Sequence, residues 1–331
     1  MAVGGVSMDD ETAPTEAELE AIRSSDPDPL GLMDVMELIA PEARVTGWER
    51  LHGGLAGAVH RIDVTMPSGA EIAFVLRRYL PETGADGRLA TREAETLERL
   101  RDTLVTAPEA LWLDADGVVF GRPALATTLL PGRVRTADLH DDPRVVAGLA
   151  EALVSLRWVP LDAVEHLPRR EDPTALVADL RGPVPTSPLL DTRAVADVLL
   201  AHAGAVTPEP VALSHGDFHV GNVLFDGTRP SGIVDWDHAR VADPRADVAY
   251  CALDLALVAG PEVAETFLEE HAALRGEMAD AAWWRLQAAA DAFPDPRDWV
   301  RQWGDLGVDV TPEQVAERYV AWVEQALAEL G

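Results

Sequence analysis

The chain has 331 residues, 47% of them hydrophobic, enough to bury the cores of two domains or lobes of roughly 150 residues each. Its formal charge of −30 excludes the basic faces that nucleic acids and anionic membranes require. The single cysteine, Cys251, excludes a disulfide framework, and no run approaches the ~18 uninterrupted apolar residues of a membrane span.

Cys251 lies in an apolar run and reads as core packing. The acidic N-terminus has no basic region followed by an apolar core, so no signal peptide is expected, and the expected compartment is the cytoplasm. All 27 basic residues are Arg. Any role that needs a cationic side chain therefore falls to a guanidinium. The acidity suits a cationic small-molecule ligand drawn to an acidic cleft, and equally a solvated surface.

In chain order, residues 1–14 read as a disordered tail. Thr15 and Glu18 form a capping-box pattern for a helix over 16–23, and 30–40 has helical spacing. The period then changes towards two. Strands are expected over 45–48 and 58–64, flanking a glycine-rich turn with Gly53 and Gly54, whose amides suit phosphate oxygens as well as a plain hairpin. A strand over 71–79 carries Arg77 and Arg78, and a helix over 92–104 carries Glu93. Residues 111–113 and 118–120 read as a hairpin around Asp114–Gly117. A further apolar segment covers 124–130. Helices are expected over 143–158, 172–180, 192–202, 246–258, 262–274, 279–290 and 312–330.

The most informative stretch lies among those helices, at 211–237: VALSHGDFHVGNVLFDGTRPSGIVDWD. Residues 211–214 read as a buried strand, and 222–225 and 231–235 as a hairpin. His215, Asp217 and Asn222 repeat the H-x-D-x-x-x-x-N spacing of a kinase catalytic loop, and Asp235 follows on the hairpin. Phosphoryl transfer needs a carboxylate to orient or deprotonate the acceptor hydroxyl. It also needs oxygen ligands for magnesium on the nucleotide phosphates. Asn222 is the only Asn in the chain.

HGDFHVGN followed by IVDWD, extended by DPRADVA at 243–249, resembles the aminoglycoside phosphotransferase and choline kinase-like family of small-molecule kinases. The resemblance implies an α+β, protein-kinase-like two-lobed fold. An N-terminal antiparallel β-sheet lobe would span 15–127, and a larger, mainly helical C-terminal lobe 128–331. It implies ATP and Mg2+ as cofactors, Asp217 as catalytic base with His215 beside it, and Asn222 and Asp235 as metal ligands. Asp247 would brace the loop, with His219 and Asp237 supporting its geometry. In this family a basic residue on the third strand pairs with a Glu of the following helix. Arg77 with Glu93 matches, with Arg where Lys is common. Arg77 is preferred to Arg78 because it follows Val75 and Leu76, although a one-residue slip in strand register would exchange them. Main-chain groups near Thr127, Thr128 and Leu129 would meet the adenine at the hinge.

The expected activity is ATP-dependent transfer to a small-molecule hydroxyl by a monomer or homodimer. Two alternatives stay open. The His and Asp residues at 215–238 also suit a metal-dependent phosphohydrolase, and the whole could be a non-catalytic binding module. Acceptor-side candidates are Glu262, Asp291, Asp295 and Asp298. Five of the nine Trp lie at 283–322, at spacings that suit core packing or a cationic ligand.

Overall fold

A computed structural model describes residues 15–51, 57–80 and 87–331. The expected tail at 1–14 and the glycine-rich turn with Gly53 and Gly54 lie outside the described residues.

The chain opens with α1 (Glu16–Arg23) and α2 (Pro29–Ile39). Thr15 and Glu18 form the expected capping box of α1, and Asp28 caps α2 through the Gly31 amide. Then come β1 (Arg44–Arg50), β2 (Gly57–Thr65), β3 (Glu71–Tyr79), α3 (Arg88–Leu100), β4 (Ala110–Asp114) and β5 (Ala124–Thr128). The five strands form one sheet in the order β1-β2-β3-β5-β4, with every neighbour antiparallel.

Strand alternation gives this sheet two different faces. Ile62, Val64, Phe74, Leu76, Ala124 and Ala126 point outward and form a core with Leu32, Val35 and Met36 of α2. Val59, Val75, Arg77, Leu125 and Thr127 point the other way and line a cleft.

Two elements differ from expectation. The helix expected over 92–104 runs Arg88–Leu100. It starts early because Gly87 adopts φ 72° and accepts the Thr91 amide on its carbonyl; a Cβ there would sit 2.1 Å from the Ala115 oxygen. It stops early because both the amide and the hydroxyl of Thr103 turn back onto the Leu100 carbonyl. The second difference concerns 118–120, which is a turn and not a strand. The Asp114 carboxylate accepts the Val118 and Val119 amides at 3.0 and 2.8 Å and curls the chain, so β4 pairs with β5 instead.

The rest is mainly helical. In order follow α4 (Pro143–Ser155), β6 (Arg169–Arg170), α5 (Pro173–Leu176), α6 (Thr192–His202), β7 (Ala212–Ser214), β8 (Val223–Asp226), β9 (Arg229–Ile233), β10 (Arg240–Ala242), α7 (Arg245–Val258), α8 (Pro261–Arg275), α9 (Ala281–Asp291), α10 (Val300–Asp305) and α11 (Pro312–Leu330). The helix expected over 172–180 is split into α5 and a 3₁₀ turn at Ala178–Arg181. Helix α7 is buried at every residue except Tyr250, as befits a helix wrapped by its neighbours α8, α9 and α11. Four of the five late tryptophans, Trp283, Trp284, Trp303 and Trp322, are core residues. Trp299 is half-buried.

Strand β7 pairs with β10, and β10 with β6, while β8 and β9 form the expected hairpin. Two main-chain ties fix that hairpin, one to the segment after β5 and one to the segment before β4. Arg133 and Phe225 exchange hydrogen bonds, and the Ile233 amide donates to the Thr106 carbonyl. The loop after β7 and the turn after β9 are thereby held at one mouth.

Candidate active site

The loop after β7 is built on Asp247, near the start of α7. Its carboxylate accepts the Ser214 hydroxyl at 2.9 Å, the His215 amide at 2.7 Å and the Gly216 amide at 3.1 Å. Gly216 holds φ 84°, and a Cβ there would lie 2.2 Å from the His238 carbonyl oxygen, so the chain can pass only as glycine. The His215 ring is buried between Phe218 and Trp236. Its Nε2 meets the Val234 carbonyl at 2.9 Å, and its Nδ1 faces the Asp217 amide at 3.3 Å. Those partners assign the proton to Nε2, and burial pushes the imidazole pKa down, so the ring is neutral. Both ring nitrogens of His215 are thus spent on main chain: the ring joins the loop to β9.

Asp217 emerges from this brace with its side chain 30% exposed. The Asn222 amide nitrogen donates to the Asp217 carbonyl at 2.9 Å and lies 3.4 Å from its carboxylate. His219 Nε2 is 3.8 Å from the same carboxylate, and its Nδ1 accepts the Gly221 amide. Tyr250 lies against Asp217. Burial and the Asp217 charge push its phenol well above its ordinary pKa, leaving a neutral donor. Trp299 meets Tyr250 edge-on at 6.4 Å.

The second half of the site is a knot of charge. Asp235 sits at φ 68°, a backbone region that Asp tolerates better than most residues, in the turn that leaves β9. Arg77 Nη1 donates to Glu93 Oε2 at 2.9 Å and to Asp235 Oδ1 at 2.6 Å, and its Nη2 donates to Asp237 Oδ2 at 2.8 Å. Tyr79, two residues on and on the same face, donates its hydroxyl to Glu93 and stacks under the guanidinium. The Trp236 amide donates to Glu93 at 3.3 Å, and Arg92 to the Asp237 carbonyl at 3.2 Å. Burial alone would raise the Asp235 carboxyl, but the Arg77 charge overrides it and holds the pKa at about 2. Burial, then the neighbouring Asp235 charge, pushes Asp237 well above the usual carboxylate range.

A cleft of 370 Å³ joins the two halves, with Arg77, Glu93, Asn222 and Asp235 in its lining. Its walls are apolar, formed by Leu51, Val59, Val75, Leu125, Leu224 and Val234. Thr127, Thr128 and Leu129 form one edge. The ladder ends at Thr128, whose amide is taken by the Glu109 carbonyl, so main chain without a ladder partner begins at Leu129. Asp217 is outside this lining and is joined to it through Asn222. The acceptor-side candidates Glu262, Asp291, Asp295 and Asp298 are not in the lining. Asp295 instead binds Arg297 and caps its own turn.

The donors fit a hard divalent cation: Asn222 and Asp235 offer oxygen, and Glu93, Asp235 and Asp237 hold oxygens within 4.8 Å of one another. Asp237, fully buried, keeps one carboxylate oxygen without a hydrogen-bond partner. No imidazole belongs to this group among the described residues. That counts against the transition-metal hydrolase. Tyr79, Arg92 and Tyr250 were not singled out from sequence. Tyr79 had a usable signal, because it lies two residues beyond Arg77 and so shares its face.

A sheet lobe and a helical lobe meeting at an H-x-D-x-x-x-x-N loop define a protein-kinase-like phosphotransferase. The sequence profile of the "Phosphotransferase enzyme family" matches residues 48–284. The chain is 30% identical over 257 residues to the aminoglycoside 3'-phosphotransferase of Streptomyces fradiae, covering 72% of this chain and 93% of that protein. It is 29% identical over the same span to the corresponding enzyme of Streptomyces ribosidificus, with the same coverage. The chain belongs to the phosphotransferase enzyme family. Its fold is shared with the crystal structure of aminoglycoside phosphotransferase APH(4)-Ia, at TM-score 0.61 and 17% identity over 90% of this chain and 99% of that one. It is also shared with a macrolide 2'-phosphotransferase type I, at TM-score 0.56 and 20% identity over 97% and 99%.

Proposed function

We propose that the protein transfers the γ-phosphate of ATP to a hydroxyl of a small amino- or hydroxy-bearing molecule of the aminoglycoside kind. One observation carries this reading. Asp217, Asn222 and Asp235 are brought to one mouth by the Asp247-braced loop and the β8–β9 hairpin, and Asn222 and Asp235 share a cleft with Arg77 and Glu93. The family membership and the aminoglycoside 3'-phosphotransferase activity of the two Streptomyces relatives support it.

In this reading the nucleotide base enters between the apolar walls and meets main chain from Leu129 onward, while the phosphates point to Arg77. The boundary between nucleotide-binding and catalytic lobes falls after Thr127. Asn222 and Asp235 would hold magnesium, which neutralises charge on the phosphates when bound. Asp217 orients the acceptor hydroxyl and takes its proton. A bond forms between the acceptor oxygen and the γ-phosphorus, the bridging bond to the β-phosphate breaks, and ADP leaves. His215 acts through the loop it pins, since its ring nitrogens are committed to main chain. The neutral Tyr250 borders Asp217 and has the half-buried Trp299 at its edge, an environment suited to a hydroxylated amine. Among the described residues no helix is long and apolar enough to cross a membrane. A cytoplasmic location is in keeping with ATP as donor.

The test is substrate-stimulated ADP release across a panel of aminoglycosides and other hydroxylated amines. General-base contributions run to about 10²–10⁴-fold. Asp217→Asn should lower kcat by that factor with Kd for ATP unchanged, and near-normal kcat in the variant sinks the assignment.

A further inference from the structure

Arg77 stands where this family commonly uses Lys, and the change is chemical as well as nominal. A Lys ammonium is one point of charge, whereas a guanidinium is a flat fork that must be fixed at two points to hold one plane. Arg77 has those two points on different elements. Glu93 of α3 holds Nη1 at 2.9 Å, and Asp237, in the turn after β9, holds Nη2 at 2.8 Å. The remaining contact, Nη1 to Asp235 at 2.6 Å, faces the cleft.

Asp237 meets one arginine closely, this guanidinium. It is fully buried, and among the described residues its other carboxylate oxygen has no hydrogen-bond partner; His238 Nε2 stands 3.7 Å from it. Its main-chain carbonyl is anchored by Arg92 at 3.2 Å. Among the described residues, Arg77 is the buried cation paired with this carboxylate.

We infer that Asp237 is a positioning residue for phosphoryl transfer: it fixes the plane of the Arg77 guanidinium, so that an arginine serves where a lysine would need no such partner. The inference rests on the phosphotransferase reading. It requires that the effect of Asp237 depend on the fork. With Arg77 present, Asp237 aligns the fork and its loss weakens nucleotide binding. With lysine at that position there is no fork to align, and losing Asp237 should cost little more.

The experiment is a double-mutant cycle with Arg77→Lys, Asp237→Asn and the pair together. The readouts are the Kd of magnesium AMP-PNP by calorimetry, which needs no acceptor, and kcat/KM for ATP. The unfolding midpoint is followed in parallel. Asp237→Asn alone should weaken AMP-PNP binding about 10-fold, the loss of one charge-assisted contact. Arg77→Lys should weaken it at least as much, and adding Asp237→Asn to Arg77→Lys should cost little more. KM for the acceptor should not change. Equal losses from Asp237→Asn in both backgrounds, or a change confined to the unfolding midpoint, overturn the inference. A wild-type protein that binds no AMP-PNP overturns the phosphotransferase reading itself, a result distinguishable from either.

Discussion

The two faces of the N-terminal sheet each bury one arginine from the same strand. Arg77 and Arg78 are adjacent on β3 and equally hidden, at 7% and 5% exposure. On the cleft side, Arg77 gathers three carboxylates, and their charges outweigh burial to hold it firmly protonated. On the outer side, Arg78 donates to the main-chain carbonyls of Ser25 and Asp26, just past the end of α1. There burial, with the Arg122 charge behind it, lowers its pKa to about 10. Burial is therefore no guide to function on this strand. The partners are: carboxylates from three distant segments on one side, the end of one helix on the other. The cleft face gathers charge from three segments, and the outer face uses charge to pin the first helix onto the sheet.

The largest expected effect breaks the cleft side. Removing a preorganised donor from a site of developing charge typically costs ~10²–10³ in rate, so Arg77→Ala should lower kcat/KM for ATP by about that much. Glu93→Ala should lower it less, because Asp237 still holds the fork. The double variant should fall short of the product of the two, since they share one contact. Strict multiplicativity in steady-state kinetics means that Glu93 does not act through Arg77.

The outer side should respond differently. Arg78→Ala removes two hydrogen bonds from a buried guanidinium and leaves the Ser25 and Asp26 carbonyls to find water. A loss of about 1–3 kcal/mol in unfolding free energy follows, with KM for ATP unchanged. Denaturant unfolding and ATP kinetics on the same preparation decide it. A variant with normal stability and impaired ATP use reverses the assignment of the two faces.

This contrast marks how far the sequence could be read. The loop's geometry was legible because its contacts are local: His215, Asp217 and Asn222 lie within eight positions, and Asp247 is only 30 residues past Asp217. The pairing of Arg77 with Glu93 was readable because strand and helix follow one another. What lay hidden was long-range. Arg77 and Asp237 are 160 positions apart, and no period or spacing links them. Face assignment on β3 was also weak, because Arg77 and Arg78 differ by the one-residue step that exchanges faces. The early start of α3 depended on Gly87 fitting against Ala115, a contact between segments that propensity does not contain. Tyr250 was read as part of an apolar helix, and its value lies in being the one residue of α7 that is not fully enclosed.

The smallest effect at neutral pH belongs to His60, on the outer face opposite Leu76. It is 1% exposed, and neither ring nitrogen has a hydrogen-bond partner. Burial first, then the Arg78 charge with a contribution from Arg50, lowers its pKa from 6.5 to about 4, with Asp26 opposing. The unfolded chain therefore binds more protons than the folded one between those two values, and stability rises with pH across that window. The contribution is complete above pH 6.5 and is lost as the pH falls towards 4. His60→Leu removes the titration while keeping an apolar side chain against Ile62 and Leu76. Its unfolding midpoint should fall less than that of the wild type between pH 7.5 and pH 5, with kcat/KM for ATP unchanged at pH 7.5. His271, also lowered to about 4, is present in both proteins and cancels from the difference. Parallel pH profiles for the two proteins would mean that His60 is already solvated and that the outer face carries no such penalty.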